Sequence, residues 1–157
     1  MDGYDIAHVS SQLEKYDICA VASFTLDGKR INSRHMSFSA EPGLESFYLL
    51  TNKATYKLKE FQNNPNITIS ILGDKGSFEG YFQLTVFGTA AILGSFDDPA
   101  VQKALERLSV GNRLARALRD NGSLGDNVIV RLRTEEIHFS TMREIIKGLP
   151  QTIFKLP

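Results

Sequence analysis

The chain has 157 residues, and its 18 basic and 18 acidic residues give a formal net charge of zero. A chain of this length can bury roughly two thirds of its unfolded surface, so we predict a single domain over residues 1–157 that folds without disulfides or metals. The balanced charge argues against a general binder of nucleic acids or of anionic membranes. The single cysteine, Cys19, excludes an internal disulfide and a metal site built from several thiolates.

The N-terminal residues do not combine a basic leader with an apolar core, and the longest apolar runs are too short to span a bilayer. The low cysteine content also fits a reducing compartment. We therefore expect a cytoplasmic protein that does not insert into membranes.

Turn signals and alternating apolar residues divide the chain into short elements. A weak helical pattern at residues 8–17 comes first. Six β-rich runs follow, at residues 18–26, 30–40, 46–51, 67–72, 81–93 and 127–140. Residues 27–28 and 42–43 carry the turn pairs Asp-Gly and Pro-Gly, and residues 73–77 predict the turn after the fourth run.

Two of these runs carry a further signal. In the second run, Arg34, Met36 and Phe38 share one face, and the polar residues between them share the other. In the fifth run, Gly88 predicts a bulge or a close backbone approach. The second run is therefore predicted to be a strand with one polar face.

Helical periodicity predicts three further helices. The first spans residues 54–64, with Tyr56, Leu58 and Phe61 on one side. The other two lie at residues 97–110 and 113–122. The last ten residues predict no element. The fold class is therefore mainly β, with about six antiparallel strands and a few short helices, and such a sheet usually closes into a barrel.

Polar side chains gather between the third strand and the first of these helices. Thr51, Asn52, Thr55 and Lys57 supply hydroxyls, an amide and a cation where the helix is predicted to begin. Backbone N–H groups and the helix dipole favour an anion at such a place. The stretch therefore predicts a local anion site in a chain that has no net charge.

The sequence resembles the FMN-binding split β-barrel family typified by pyridoxamine 5′-phosphate oxidase, over roughly residues 18–90. No single piece is specific, but their order and spacing together are. The residues that carry the resemblance around the cofactor are Arg34, His35, Met36, Ser37, Leu50, Thr51, Asn52, Thr55, Lys57 and Gln83. The resemblance implies a split antiparallel β-barrel that binds FMN.

The resemblance also implies roles for these residues. Arg34, Thr51 and Lys57 would hold the ring edge and the phosphate of FMN, with Thr55 near the phosphate. The backbone of residues 35–37 would lie under the ring.

Gln83 matches a glutamine that touches the flavin from the partner subunit. The resemblance therefore implies a homodimer with two sites at its interface.

The chemistry of a phosphate monoester supports the same assignment. Such a group carries up to two negative charges near neutral pH and needs about two cations plus neutral donors. Arg34 and Lys57 supply the cations, and Thr51 and Thr55 supply hydroxyls. A cation or N–H donors at the pyrimidine edge of the ring would also stabilise the reduced, anionic flavin.

The chain departs from true pyridoxamine phosphate oxidases at three places. Ser39 stands where those enzymes carry a lysine for the substrate phosphate, and the terminal residues TIFKLP lack their Arg-x-His motif. Tyr56 stands where they often have a second phosphate arginine. We therefore expect an FMN-dependent oxidoreductase that exchanges electrons with a small-molecule donor and acceptor, but not with pyridoxamine phosphate. No catalytic residue is assigned.

Three alternatives remain open from the sequence. The same barrel could bind heme or a deazaflavin, or it could store or sense a cofactor without turnover. A nucleic-acid role could use the basic cluster of the later helices, although acidic residues intersperse it and favour a solvated face. The basic cluster comprises Lys103, Arg107, Arg113, Arg116 and Arg119. The histidines show no metal-binding spacing, so we expect no metal site.

Overall fold

Seven antiparallel strands form one sheet, and six of them close into a barrel. The structure is a computed structural model that describes residues 4–74 and 76–157. The strands are β1 (Ile18–Phe24), β2 (Ile31–Ala40), β3 (Ser46–Asn52), β4 (Asn66–Leu72), β5 (Phe82–Ile92), β6 (Asn127–Thr141) and β7 (Thr152–Lys155). Their order is β3-β2-β1-β4-β5-β6-β7, and pairing of β3 with β6 closes the barrel and leaves β7 outside it. The split antiparallel barrel predicted from the sequence is confirmed.

Short helices surround the barrel. They are α1 (Ile6–Leu13), α2 (Lys57–Asn63), α3 (Pro99–Gly111), α4 (Arg113–Asp120) and α5 (Met142–Lys147), with a 3-10 turn at Ser123–Asp126. Asp98 caps α3 by accepting a hydrogen bond from the backbone N–H of Ala100, which agrees with the predicted start. In the described residues, none of the helices is long and apolar enough to cross a bilayer.

The β-barrel is filled by apolar side chains from alternate positions of its strands. Cys19, Val21, Met36 and Phe38 belong to this core, which confirms that Met36 and Phe38 share one face of β2 as predicted. Burial raises the pKa of the Cys19 thiol to about 12, so the thiol is inert near neutral pH. A second apolar cluster lies between α3, α4 and the adjacent strands.

Three local predictions need correction or restriction. Tyr56 does not share the buried side of its helix, because it is the N-cap residue and its side chain is 60% exposed, whereas Leu58 and Phe61 are buried. The sequence predicted neither α5 nor β7. Of the turn predicted at residues 73–77, Lys75 lies outside the described residues.

Gly88 lies at the bulge that the sequence predicted. The register between β5 and β6 shifts there, since Phe87 pairs with Glu136 and Gly88 pairs with Thr134. A Cβ atom on Gly88 would overlap the carbonyl oxygen of Arg133 and lie 2.8 Å from Leu132 Cδ1. The close approach of two backbones therefore requires glycine here.

Gly88→Ala is expected to destabilise the fold by about 1–3 kcal/mol, because an overpacked backbone contact must be relieved by moving β5 or β6. The free energy of urea unfolding measures the effect. Gly94→Ala is the control, since a Cβ atom there meets nothing within 4 Å. Equal stability of the two variants would contradict the close approach.

Candidate functional site

The site predicted from the sequence lies at the split between β2 and β3. These strands pair only from Ser37 opposite Leu50 to Ala40 opposite Phe47. Toward its start, β2 pairs with β1 alone, and Thr51 and the end of β3 pair with β6. The two strands therefore separate where the sequence motif predicts the cofactor, and α2 packs beside the opening.

The backbone of His35 faces this opening. Phe38 N donates to Asp17 O on the β1 side, and residues at alternate positions of an antiparallel strand direct their N–H and C=O groups to opposite sides. The backbone groups of His35 and Ser37 therefore point away from β1, and those of Ser37 face Leu50. The N–H and C=O groups of His35 lie two residues before Ser37, where β2 no longer pairs with β3 and a planar ring could reach them.

Arg34 lies on the inward face of β2, near the barrel mouth. Its side chain is 20% exposed, and its guanidinium carbon lies 5.7 Å from the ring centroid of Phe61 on α2. Nη1 donates to Ser23 Oγ at 2.7 Å, and Nη2 donates to Glu60 Oε2 at 2.6 Å. Arg34 is thus held by an internal ion pair and keeps further N–H donors for a ligand.

Glu60 is a buried carboxylate with three side-chain donors. It is 1% exposed, and besides Arg34 it accepts hydrogen bonds from Ser23 Oγ at 2.9 Å and from Asn32 Nδ2 at 2.5 Å. Burial by itself raises the pKa of Glu60, but the hydrogen bonds and the charge of Arg34 outweigh it, and the pKa falls below 4.5. Glu60 is therefore ionised near neutral pH.

The hydroxyl pair of the motif is assembled at the end of β3. Thr51 is 6% exposed, and its Oγ1 lies 3.4 Å from Thr55 Oγ1. Thr55 Oγ1 in turn donates to the carbonyl oxygen of Asn52 at 2.8 Å, while Asn52 Oδ1 accepts from the backbone N–H of Ala54. Asn52 therefore shapes the turn that brings the two hydroxyls together.

Lys57 is the first residue of α2 and is half-buried. Desolvation lowers its pKa, and the positive charge of Arg34 lowers it further. Two cations thus share a partly desolvated region, which an anion would stabilise. The seven-residue α2 is shorter than the helix predicted from the sequence, so the charge of these side chains, and not a helix dipole, favours an anion.

Three residues of the motif place their side chains in the protein interior. Met36 packs in the barrel core, and Leu50 packs in the cluster under α3 and α4. Ser37 is 4% exposed on the opposite face of β2 from Met36. Only the backbone of these residues is available to a ligand.

Gln83 is not brought together with the other residues within one protomer. It lies on β5 opposite Leu72, three strands away from β2, and its Nε2 donates to Tyr81 Oη at 3.0 Å. The separation agrees with its implied role toward a partner subunit, which stays a prediction.

The sequence reasoning missed Glu60, Ser23 and Asn32. Glu60 lies within the predicted helix at residues 54–64, and nothing local predicts that it is buried against the barrel. Ser23 did carry a signal, because it follows Cys19 and Val21 on the inward face of β1, where a polar residue requires a partner.

The surface cavities of the described residues include five with volumes of about 200 to about 510 Å³. None of these five is lined by Arg34, Thr51, Thr55 or Lys57. Ser39, which stands in place of the substrate lysine, lines one of about 420 Å³ together with Tyr16 and Arg107.

A sequence model of the pyridoxamine 5′-phosphate oxidase family matches residues 7–141. The chain belongs to this family. The match contains every motif residue from Arg34 to Gln83 and extends well beyond the stretch on which the resemblance was first based. A comparison with curated protein sequences found no match.

Solved structures with the same fold include family members and heme proteins. A protein from Clostridium acetobutylicum, related to general stress protein 26 and described as pyridoxinephosphate oxidase family, is 18% identical, with a TM-score of 0.69 and coverage of 96% of this chain and 94% of its own. A heme binding protein from Mycobacterium smegmatis is 11% identical, with a TM-score of 0.72; the match covers 99% of this chain but only 60% of that protein. The heme storage protein HutZ from Vibrio cholerae is 15% identical, with a TM-score of 0.66 and coverage of 94% and 91%. At these identities the likeness shows the fold alone.

Proposed function

We propose that the protein binds FMN at the split between β2 and β3 and acts as a flavin-dependent oxidoreductase. The observation that supports the proposal is the Thr51–Thr55 hydroxyl pair at the end of β3, together with Lys57 and Arg34, whose charges influence each other, on the helix and strand beside this opening. Membership of the oxidase family and the ordered motif support the same cofactor.

The donor set suits a phosphate monoester. Lys57 and Arg34 supply positive charge, and the hydroxyls of Thr51 and Thr55 supply neutral donors 3.4 Å apart. The backbone N–H and C=O of His35 complement the polar edge of a flavin ring. Bound FMN would supply hydride and electron transfer, while the residues of this chain would bind it, orient it and tune its affinity for electrons.

The substrate proposed here is not pyridoxamine phosphate. Ser39 cannot provide the charge that a lysine would offer to a second phosphate group, and β7 carries Lys155 but no Arg-x-His sequence. The proposed electron donor and acceptor are therefore small molecules of another class.

We also propose that two copies form a homodimer over the outer face of β1, β4 and β5. Ile18 is 48% exposed and Leu72 is 43% exposed on this face, and Gln83 lies beside Leu72 in the register. A second copy covering this face would bury both apolar side chains and direct Gln83 toward the other site. Light scattering after gel filtration measures the mass, for which twice 17.5 kDa is expected.

A second candidate is a protein that binds flavin or heme without turnover. The observation in favour of this candidate is the structural likeness to the heme binding protein from Mycobacterium smegmatis and to the heme storage protein HutZ. It differs from the first candidate in one observable property, because a passive binder does not pass electrons from a reductant to an acceptor.

The visible absorption spectrum of the purified protein, before and after addition of FMN and removal of the excess by gel filtration, tests the cofactor. We expect flavin bands that travel with the protein, and rapid anaerobic bleaching of these bands by NADH or NADPH. Retention of heme but not FMN in parallel titrations would overturn the FMN assignment. Bound flavin that no reductant bleaches would favour the passive binder.

A further inference from the structure

Glu60 introduces a negative charge beside a site that is otherwise built for an anion. Its Oε2 lies 2.6 Å from Arg34 Nη2, and both groups belong to a hydrogen-bonded network with Ser23 and Asn32. The network consists of side chains of this chain alone. Arg34 is therefore compensated before a ligand arrives, and Lys57 remains as the cation of the site that has no ion pair among the described residues.

We propose that Glu60 is the residue that sets the charge of the anion this site accepts. This inference rests on the proposed function. With Arg34, Lys57 and Glu60 together carrying one net positive charge, the site neutralises only part of the charge of a dianionic phosphate monoester. Glu60 thereby limits how strongly the phosphate of FMN contributes to binding.

The physical basis is the cost of a like charge near the ligand. A phosphate held by Arg34 must approach the guanidinium that already contacts the Glu60 carboxylate. Two like charges that share one cation repel, and the repulsion is strong where water is partly excluded. Glu60 cannot leave easily, since it is 1% exposed and the neighbouring donors hold it in place.

Glu60→Gln removes the charge and keeps the shape and most hydrogen-bonding capacity of the side chain. The dissociation constants of FMN and riboflavin separate phosphate binding from ring binding, because riboflavin lacks the phosphate. We expect the preference for FMN over riboflavin to rise about tenfold or more, as expected for loss of a like charge within about 8 Å at an effective dielectric constant near 20. Riboflavin affinity itself should change little.

Two further variants distinguish charge from structure. Glu60→Asp keeps the charge but shortens the side chain, so it is expected to lower stability without raising the preference for FMN. Glu106→Gln makes the same change in net charge at an exposed position of α3 and is expected to alter neither property. If Glu60→Asp also raised the preference for FMN over riboflavin, loosened packing and not charge would be responsible. This result would overturn the proposal.

Inorganic phosphate provides a test that does not depend on flavin. In Glu60→Gln, Arg34 lacks its counter-ion, so added phosphate should raise the melting temperature at least about 3 °C more than in the wild-type protein at equal ionic strength. If no variant binds either flavin, the proposed function fails, and the phosphate response still decides the role of Glu60. If phosphate raised the melting temperature of Glu60→Gln and of the wild-type protein by the same amount, the proposed role of Glu60 would be overturned.

Folding of the variant is itself informative. Should Glu60→Gln unfold without anions, phosphate but not chloride at equal ionic strength is expected to restore its far-ultraviolet circular dichroism. Failure of phosphate to restore the fold would contradict the proposal.

Discussion

Lys57→Ala is expected to weaken FMN binding about 10- to 100-fold, which is the loss of one charge-assisted hydrogen bond of about 1.5–3 kcal/mol. The effect should be large because Lys57 is half-buried and has no ion pair among the described residues. Its pKa is already lowered by desolvation and by Arg34, so the free site gains when an anion neutralises it. Flavin fluorescence quenching measures the dissociation constant.

Riboflavin and a second lysine provide the controls for this change. Riboflavin binding should be almost unaffected, because the phosphate is the group that Lys57 contacts in the proposed complex. Lys59→Ala removes an exposed lysine from the same helix, whose Nζ lies 5.9 Å from the Tyr56 ring centroid, and it should leave FMN affinity near the wild-type value. Unchanged FMN affinity in Lys57→Ala would exclude the proposed phosphate site.

Arg34→Met is expected to lower the free energy of unfolding by about 3–5 kcal/mol, because it leaves the buried carboxylate of Glu60 without its cation. Loss of flavin by this variant would therefore not by itself establish a contact with FMN. The ion pair with Glu60 gives Arg34 a structural role in addition to the proposed contact with FMN.

The double variant Arg34→Met with Glu60→Met separates the ion pair from simple packing. It should recover most of the lost stability, since replacing both partners of a buried ion pair by apolar residues is often neutral. Urea unfolding of the two single variants, the double variant and the wild-type protein completes the cycle. Purely additive losses would show that the two side chains do not interact.

The ion pair of Arg34 with Glu60 also makes the stability of the fold depend on pH in acid. The folded pKa of Glu60 lies below its ordinary value of 4.5, so its stabilising contribution is present above that pH and is lost as the pH falls through the lowered folded value. The wild-type protein should therefore lose stability more steeply below about pH 4.5 than the Met/Met double variant.

Local sequence patterns were sufficient for most of the barrel. The alternation of Arg34, Met36 and Phe38 predicted one face of β2, from which Met36 and Phe38 pack in the barrel core, and the glycine at position 88 predicted the bulge in β5. These predictions succeeded because strand alternation and close backbone approach leave a signature within a few residues of sequence. The ordered motif likewise contained Thr51 and Thr55, whose hydroxyls lie 3.4 Å apart, because the two residues are near neighbours along the chain.

The end of the chain was less predictable from local sequence. β7 is four residues long, and it is a strand because Thr152–Lys155 pairs with residues 136–139 of β6. The helix α5 has six residues and begins with a capping box formed by Thr141 and Glu144. Such short elements depend on their neighbours more than on their own propensities.

Patterns within the amino-acid sequence were enough to identify the family, the barrel and the candidate anion-binding residues. The contact of Glu60 with Arg34, from which 26 positions separate it, became visible in the folded chain alone. The physical reason is that contact between a helix side chain and a strand side chain depends on how α2 packs on the closed barrel, which no local pattern encodes. The charge that the site presents to its ligand is therefore a property of the fold.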